Sequence, residues 1–394
     1  MFPIIDVRHC ADAFAAGQRY GSLAAKQIQH SINAYTALFA SCGLTWADAC
    51  MRARDFLPAM QKYAPESVAQ LNGIALASKQ ELASLLALNC RSELLSPNFL
   101  TALPDPNECT SIAIGNAVSN AVSNALNNAL NNALGESKRD TWLAQNWDWM
   151  GGQRDALVLL RGRSSYSDNS RGDDQSPTEF ITLTEAGMLA KIGVNDQGFA
   201  VGLNILRSNQ DATRPGISVH WVLHQLLGCH SVDAAFAMVQ KLAAEVGFGG
   251  SSNILCADRS GAVAALELSP NGVARIDPQT NGVVCHTNHF LDQHLRRDQA
   301  QYGQSTSTVD RLARIQWLST ENNEFDFDRL QTMLRDQDAG YLSICRHPDP
   351  SLDPAVRIES VAGVIINVTT GTLWIAPDVP SKVPFQMVYS QAKS

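Results

Sequence analysis

Leu103-Pro104-Asp105-Pro106-Asn107-Glu108-Cys109-Thr110-Ser111-Ile112-Ala113-Ile114 divides the chain in two. Pro104 and Pro106 stop a helix from running into the cysteine, because each removes a backbone donor and clashes with the preceding turn. From Cys109 onward the residues alternate with the period of a half-buried strand, so Cys109 should open one. A buried thiol is by default a small apolar side chain. Its company raises this one above that default. Downstream lie Ala144-Gln145-Asn146-Trp147-Asp148-Trp149, Val201-Gly202-Leu203-Asn204, His286-Thr287-Asn288-His289 and Ser343-Ile344-Cys345-Arg346-His347. Each sets polar side chains inside or just beyond an apolar run, where they cost free energy unless they serve a site. One cysteine and four such places read as a nucleophile with supporting groups.

Working outward, residues 10–96 carry a helical pattern broken at Pro58 and Pro65 and ended by Ser96-Pro97-Asn98. Beyond the cysteine, strand-like runs cover 109–114, 142–147, 156–161, 180–184, 189–194 and 199–205, with Asn195-Asp196-Gln197-Gly198 as a hairpin turn. Residues 215–244 read as helical, and strands resume at 253–257, 263–268, 273–276 and 283–286. Helices over 308–318 and 327–335 precede strands at 361–368, 372–376 and 385–389. This order predicts an α+β fold of two antiparallel sheets covered by helices. Five Asn-Ala tetrads between Asn116 and Gly135 stand apart, within a low-complexity insert over 115–139. Their four-residue period drifts against the helical 3.6, which predicts an inserted hairpin tip. Residues 164–177 read as an exposed loop.

A net charge of −8 and a pI near 5.6, with no clustered basic face, exclude a nucleic-acid partner. The nine cysteines include no CxxC pair, which argues against zinc-ribbon and thioredoxin chemistry and for reduced thiols in a cytoplasmic setting. The first residues lack the pattern of a secretory leader. No run approaches the roughly 20 apolar residues of a membrane span.

The order of Cys-Thr-Ser at Cys109, Gln-Asn-Trp-Asp at Gln145, Gly-Leu-Asn at Gly202, His-Thr-Asn-His at His286 and Ser-Ile-Cys-Arg at Ser343 resembles the isopenicillin N acyltransferase family, a branch of the N-terminal-nucleophile (Ntn) hydrolases. The resemblance extends to Gly17-Gln18-Arg19-Tyr20-Gly21 and Leu88-Asn89-Cys90-Arg91-Ser92-Glu93, and so spans nearly the whole chain. It implies an αββα sandwich with an N-terminal helical region. It also implies self-cleavage between Glu108 and Cys109, giving a helical fragment 1–108 and a catalytic core 109–394 that remain together as a heterodimer. Glu108 stands where the family pattern has glycine.

By the same resemblance, Asp148 orients the freed α-amino group, and Asn288 with the backbone N–H of Asn204 forms an oxyanion hole. Arg346 holds Asp148 or a substrate carboxylate. No cofactor or metal is implied; the spacing around His286 and His289 supports none. The expected activity is hydrolysis or transfer of the acyl group of a small N-acyl amide or thioester through an acyl-enzyme on Cys109. An acyl-CoA-dependent N-acyltransferase is the alternative within the class. From the residues alone, a papain-like pairing of Cys109 with His286 stays open, as does an unprocessed protein that only binds small molecules.

Overall fold

The computed structural model describes residues 1–95, 109–116, 139–164, 177–300, 307–321, 324–352 and 357–391. Glu108, most of the tetrad insert and the core of the 164–177 loop lie outside the described residues.

A strand begins at Cys109, as the prolines and the alternation predict. β2 (Cys109–Ile114) pairs antiparallel with β3 (Trp142–Met150), and Cys109 stands opposite Trp147. With strands numbered in chain order, one sheet runs β11 (Val283–His286), β2, β3, β12 (Ile358–Asn367), β13 (Thr372–Ala376), β14 (Gln386–Ser390). The other runs β1 (Ile4–Asp6), β4 (Leu157–Ser164), β5 (Thr178–Glu185), β6 (Ile192–Asn195), β7 (Phe199–Ile205), β8 (Ser252–Asp258), β9 (Val263–Ser269), β10 (Gly272–Ile276). Among these described strands, pairings are antiparallel except that of β1 with β4, which is parallel. β1 has three residues, too few to show a period, and the helical reading of the N-terminal segment passed over it.

That segment otherwise forms helices α1 (Ala13–Leu23), α2 (Ala25–Ser41), α3 (Trp46–Ala53), α4 (Leu57–Tyr63), α5 (Pro65–Ser78), α6 (Leu82–Asn89) and α7 (Arg91–Leu94). Asp12 caps α1 by accepting from Ala15 N at 2.7 Å. α1 crosses α5 backbone to backbone: a Cβ on Gly17 would lie 2.0 Å from the Gln70 carbonyl oxygen, so only glycine fits. α8 (Val219–Leu226) and α9 (Val232–Glu245) stand where one helical stretch was expected, and α9 lies on β8, β9 and β10. α10 (Ser307–Thr320) and α11 (Phe327–Leu334) cover the other sheet.

The two sheets pack face to face, β2 and β3 against β7 and β8. Alternation along the strands divides the core. Cys109, Ala113, Leu143, Trp147 and Trp149 join the layer between the sheets, whereas Ile112, Ile114 and Ala144 pack under α10 and α11 with Ile315 and Leu330. The order helix, sheet, sheet, helix is the αββα sandwich expected. Among the described residues no helix is long and apolar enough to cross a membrane.

Candidate active site

Cys109 is buried at the start of β2, and both its backbone groups are held by side chains. Its N–H donates to Asn288 Oδ1 at 2.9 Å, and its carbonyl accepts from Arg311 Nη1 at 2.6 Å. Arg311 also donates to Thr110 Oγ1 at 2.8 Å and, through Nη2, to Asn288 Oδ1 at 3.0 Å. These contacts fix the Asn288 carboxamide: its oxygen meets two donors, and its Nδ2 donates to the Ile205 carbonyl at 3.0 Å. One amide hydrogen is so committed.

Arg311 was missed by sequence reasoning. It projects from α10 on the same stripe as Thr308, Leu312 and Ile315, all buried. An arginine on an otherwise buried helical face was the available signal, since charges go there only when paired.

Behind Cys109 a polar row crosses each sheet. In one sheet the register aligns Gln145, Ser111 and His286; in the other it aligns Asn204, Asn253 and Glu267. The rows meet across the sandwich. Ser111 Oγ donates to Asn204 Oδ1 at 2.7 Å, Asn253 Nδ2 donates to the same oxygen at 3.0 Å, and His286 Nε2 lies 2.8 Å from Glu267 Oε1. Gln145 accepts from Leu203 N at 3.0 Å. Gly202 permits that approach, because a Cβ there would meet Gln145 Oε1 at 2.6 Å. The Asn204 side chain therefore ties the sheets together, which leaves only its backbone for an oxyanion role.

His286 is turned away from a Cys/His dyad. Its Nδ1 faces the Thr287 carbonyl at 3.0 Å and its Nε2 faces Glu267, so neither nitrogen is directed to the thiol. His289 Nδ1 bonds Thr308 Oγ1 at 2.9 Å. No cluster of three metal-binding side chains occurs among the described residues.

Asp148 follows the Trp147 that faces Cys109. Its Oδ1 accepts from Ser360 Oγ at 2.6 Å, and Ser360 Oγ accepts from Arg346 N at 2.9 Å. Ser360 N donates to the Arg346 carbonyl at 3.0 Å. Asp148, on the strand next to that of the nucleophile, is thus joined to Arg346 through Ser360 of β12.

A family model described as "Acyl-coenzyme A:6-aminopenicillanic acid acyl-transferase" matches residues 135–354, more than half of the chain. The chain belongs to this acyl-transferase family. It is an enzyme of the acyltransferase class that this family describes. A curated relative, the acyl-coenzyme A:6-aminopenicillanic-acid-acyltransferase 40 kDa form of Emericella nidulans, is 26% identical over 281 residues, 71% of this chain and 67% of its own. Among solved structures, penicillin V acylase from Agrobacterium tumefaciens is similar with a TM-score of 0.42 and 15% identity, covering 68% of this chain and 82% of that one. A variant conjugated bile acid hydrolase from Clostridium perfringens gives 0.41 and 10%, covering 71% and 96%.

Proposed function

We propose that this acyl-transferase family member is a self-processing cysteine Ntn enzyme that cleaves or transfers the acyl group of a small N-acyl compound. The observation that carries the reading is the grip on the Cys109 backbone. Asn288 already holds, at 2.9 Å, the nitrogen that becomes an α-amino group when the preceding bond is cut.

In maturation the Cys109 sulfur attacks the Glu108 carbonyl, and the peptide nitrogen leaves as the α-amino group while a thioester forms. Water then hydrolyses the thioester, restoring the thiol and giving Glu108 a carboxylate. An α-amino group of pKa about 7.7 to 8.0 is suited to take the thiol proton near neutrality. In turnover the thiolate adds to the substrate carbonyl. The Asn288 side-chain amide and the Asn204 backbone N–H receive the negative oxygen, and the α-ammonium returns its proton to the departing amine. Water or another amine then takes the acyl group from sulfur. Arg311 keeps the Cys109 carbonyl and the Asn288 carboxamide in place. Asp148, steadied by Ser360 and Arg346, orients the α-amino group. In this reading fragments 1–108 and 109–394 form one heterodimer.

Cys109→Ala is expected to be recovered as a single uncut chain without activity, read by intact mass under denaturing conditions. A processed Cys109→Ala protein would rule out cysteine-driven cleavage. We favour water as acceptor, because it is always present; the name of the curated relative favours acyl-CoA as donor and an amine as acceptor. Acyl-CoA consumption that depends strictly on added amine would decide for transfer.

A further inference from the structure

Lys191 takes no part in the chemistry above, yet an unusual number of side chains fix its place. It is 1% exposed, with its ammonium 3.1 Å from Glu185 Oε2 and 3.6 Å from the centroid of the Trp147 ring. Glu185 accepts from the Tyr35 hydroxyl and lies 3.6 Å from Arg91 Nε. Tyr35 in turn accepts from the Trp149 indole at 3.1 Å. The loop between β5 and β6 that carries Lys191 is fastened at two further points. The Tyr20 hydroxyl donates to the Met188 carbonyl and accepts from Gly187 N, both at 3.1 Å. Asn89 donates to the Gly187 carbonyl at 2.8 Å and accepts from Leu189 N at 3.2 Å. Tyr20, Asn89 and Arg91 belong to the two N-terminal motifs for which the acyl chemistry supplies no task.

Trp147 leads from Lys191 to the nucleophile. It faces Cys109 directly across the β2–β3 ladder, and both side chains enter the layer between the sheets. Side chains so opposed have Cβ atoms about 4.5–5.5 Å apart, which puts an ammonium on the indole face on the order of 10 Å from the thiol. In a dry layer a charge at that range is little screened.

We infer that Lys191 is a positioning residue for the nucleophile: residues of the N-terminal segment set its ammonium on the face of Trp147, where it biases the Cys109 sulfur toward the thiolate. The inference rests on Cys109 being the nucleophile. It makes segment 1–95 a working part of the site rather than a remnant of maturation.

Among the described residues, other charged or titratable groups around the thiol include Arg311, Asp148 with Arg346, the His286–Glu267 pair and the α-amino group of Cys109 once freed. Lys191 itself is faced by Glu185, Arg91 and His220, with Glu93 beyond Arg91. Burial opposes ionisation of Glu185, but Lys191 and Arg91 outweigh it and bring the carboxyl down to about 2. Burial, reinforced by Arg91 and Lys191, holds His220 well below its usual range, so it is neutral.

The test is the pH dependence of Cys109 alkylation by iodoacetamide, located by peptide mass, in the whole protein as purified. Wild type is compared with Lys191→Met, Lys191→Arg and Glu185→Gln. Lys191→Met is expected to raise the midpoint by about half a pH unit or more, because a cation near the thiol has been removed. Lys191→Arg keeps the wild-type midpoint and Glu185→Gln lowers it. A Lys191→Met profile that coincides with wild type overturns the inference. Should that variant fail to fold by circular dichroism, Glu185→Gln decides, and an unmoved or raised midpoint overturns it. Intact mass of the same samples reports cleavage separately. A wild-type Cys109 that resists iodoacetamide at every pH overturns the nucleophile reading and this one together; a reactive Cys109 with an unmoved profile overturns this one alone.

Discussion

Arg311 shows how much one side chain can organise. Its guanidinium reaches the Cys109 carbonyl, the Thr110 hydroxyl and the Asn288 carboxamide at once, and Nε meets Ser307 Oγ at 3.2 Å. A lysine offers a compact charge rather than this planar fork. We therefore expect Arg311→Lys to lower kcat/KM by roughly tenfold and Arg311→Met by about a hundredfold or more, the scale on which loss of oxyanion-hole alignment is felt. Both should also slow appearance of the cut chains, timed by intact mass. Unchanged cleavage with impaired turnover would restrict Arg311 to substrate. Cys109 and Asn288 could be read from the sequence because each is polar within or beside an apolar strand. Arg311 could not be found that way. Its signal lies in a helical period, and only the buried neighbours Thr308, Leu312 and Ile315 reveal which face it occupies.

The strands were largely legible, since a period of two survives in runs as short as Cys109–Ile114. Pairing was not, because register depends on contacts between segments distant in sequence. The paired polar rows are the clearest case. Ser111, Asn204, His286 and Glu267 were visible as isolated polar residues or not singled out at all, whereas the structure aligns them into one seam between the sheets. Glu267 anchors the seam: it faces His286 and also accepts from Leu291 N at 2.6 Å and Asp292 N at 3.0 Å. Glu267→Ala would leave the buried His286 and the two half-buried N–H groups without this acceptor, with an expected loss of about 3–5 kcal/mol in urea unfolding. Glu267→Gln, which keeps an acceptor, should lose roughly half as much or less. Equal losses would show that the packing of the carbon chain, not the hydrogen bonds, holds the seam.

The N-terminal segment is interlocked with the core rather than appended to it. It supplies β1 to the larger sheet and Tyr20, Tyr35, Asn89 and Arg91 to the buried network around Glu185. Once cut, the two fragments should co-elute as one particle at neutral pH. The acid behaviour of that particle follows from groups whose effects fall in separate pH windows. Glu93 is raised by burial to about 7, so its contribution is full below about 4.5 and is lost as pH rises through 7. Burial likewise raises Asp211 to about 6, with the same sign. His224 is lowered by burial to about 4, and His220 is also lowered, so both weaken the fold as pH falls below about 6.5. Between pH 7 and 4 these two acids and two histidines oppose one another. Glu185 acts below that range. Held at about 2 against the burial that would raise it, it stabilises the fold above about 4.5 and loses that contribution, roughly 3 kcal/mol, as pH falls toward 2. Protonation there leaves Lys191 and Arg91 buried without their shared carboxylate, on opposite sides of the proposed cut. The fragments are therefore expected to stay joined to about pH 4.5 and to separate between pH 4 and 2.5, followed by size exclusion at stepped pH. Glu185→Gln should remove that step. A wild-type complex intact at pH 2.5 would mean that apolar packing across the cut, such as that of Ile28, Leu85 and Leu88 against the loop at Gly187, holds the fragments without help from the ion network.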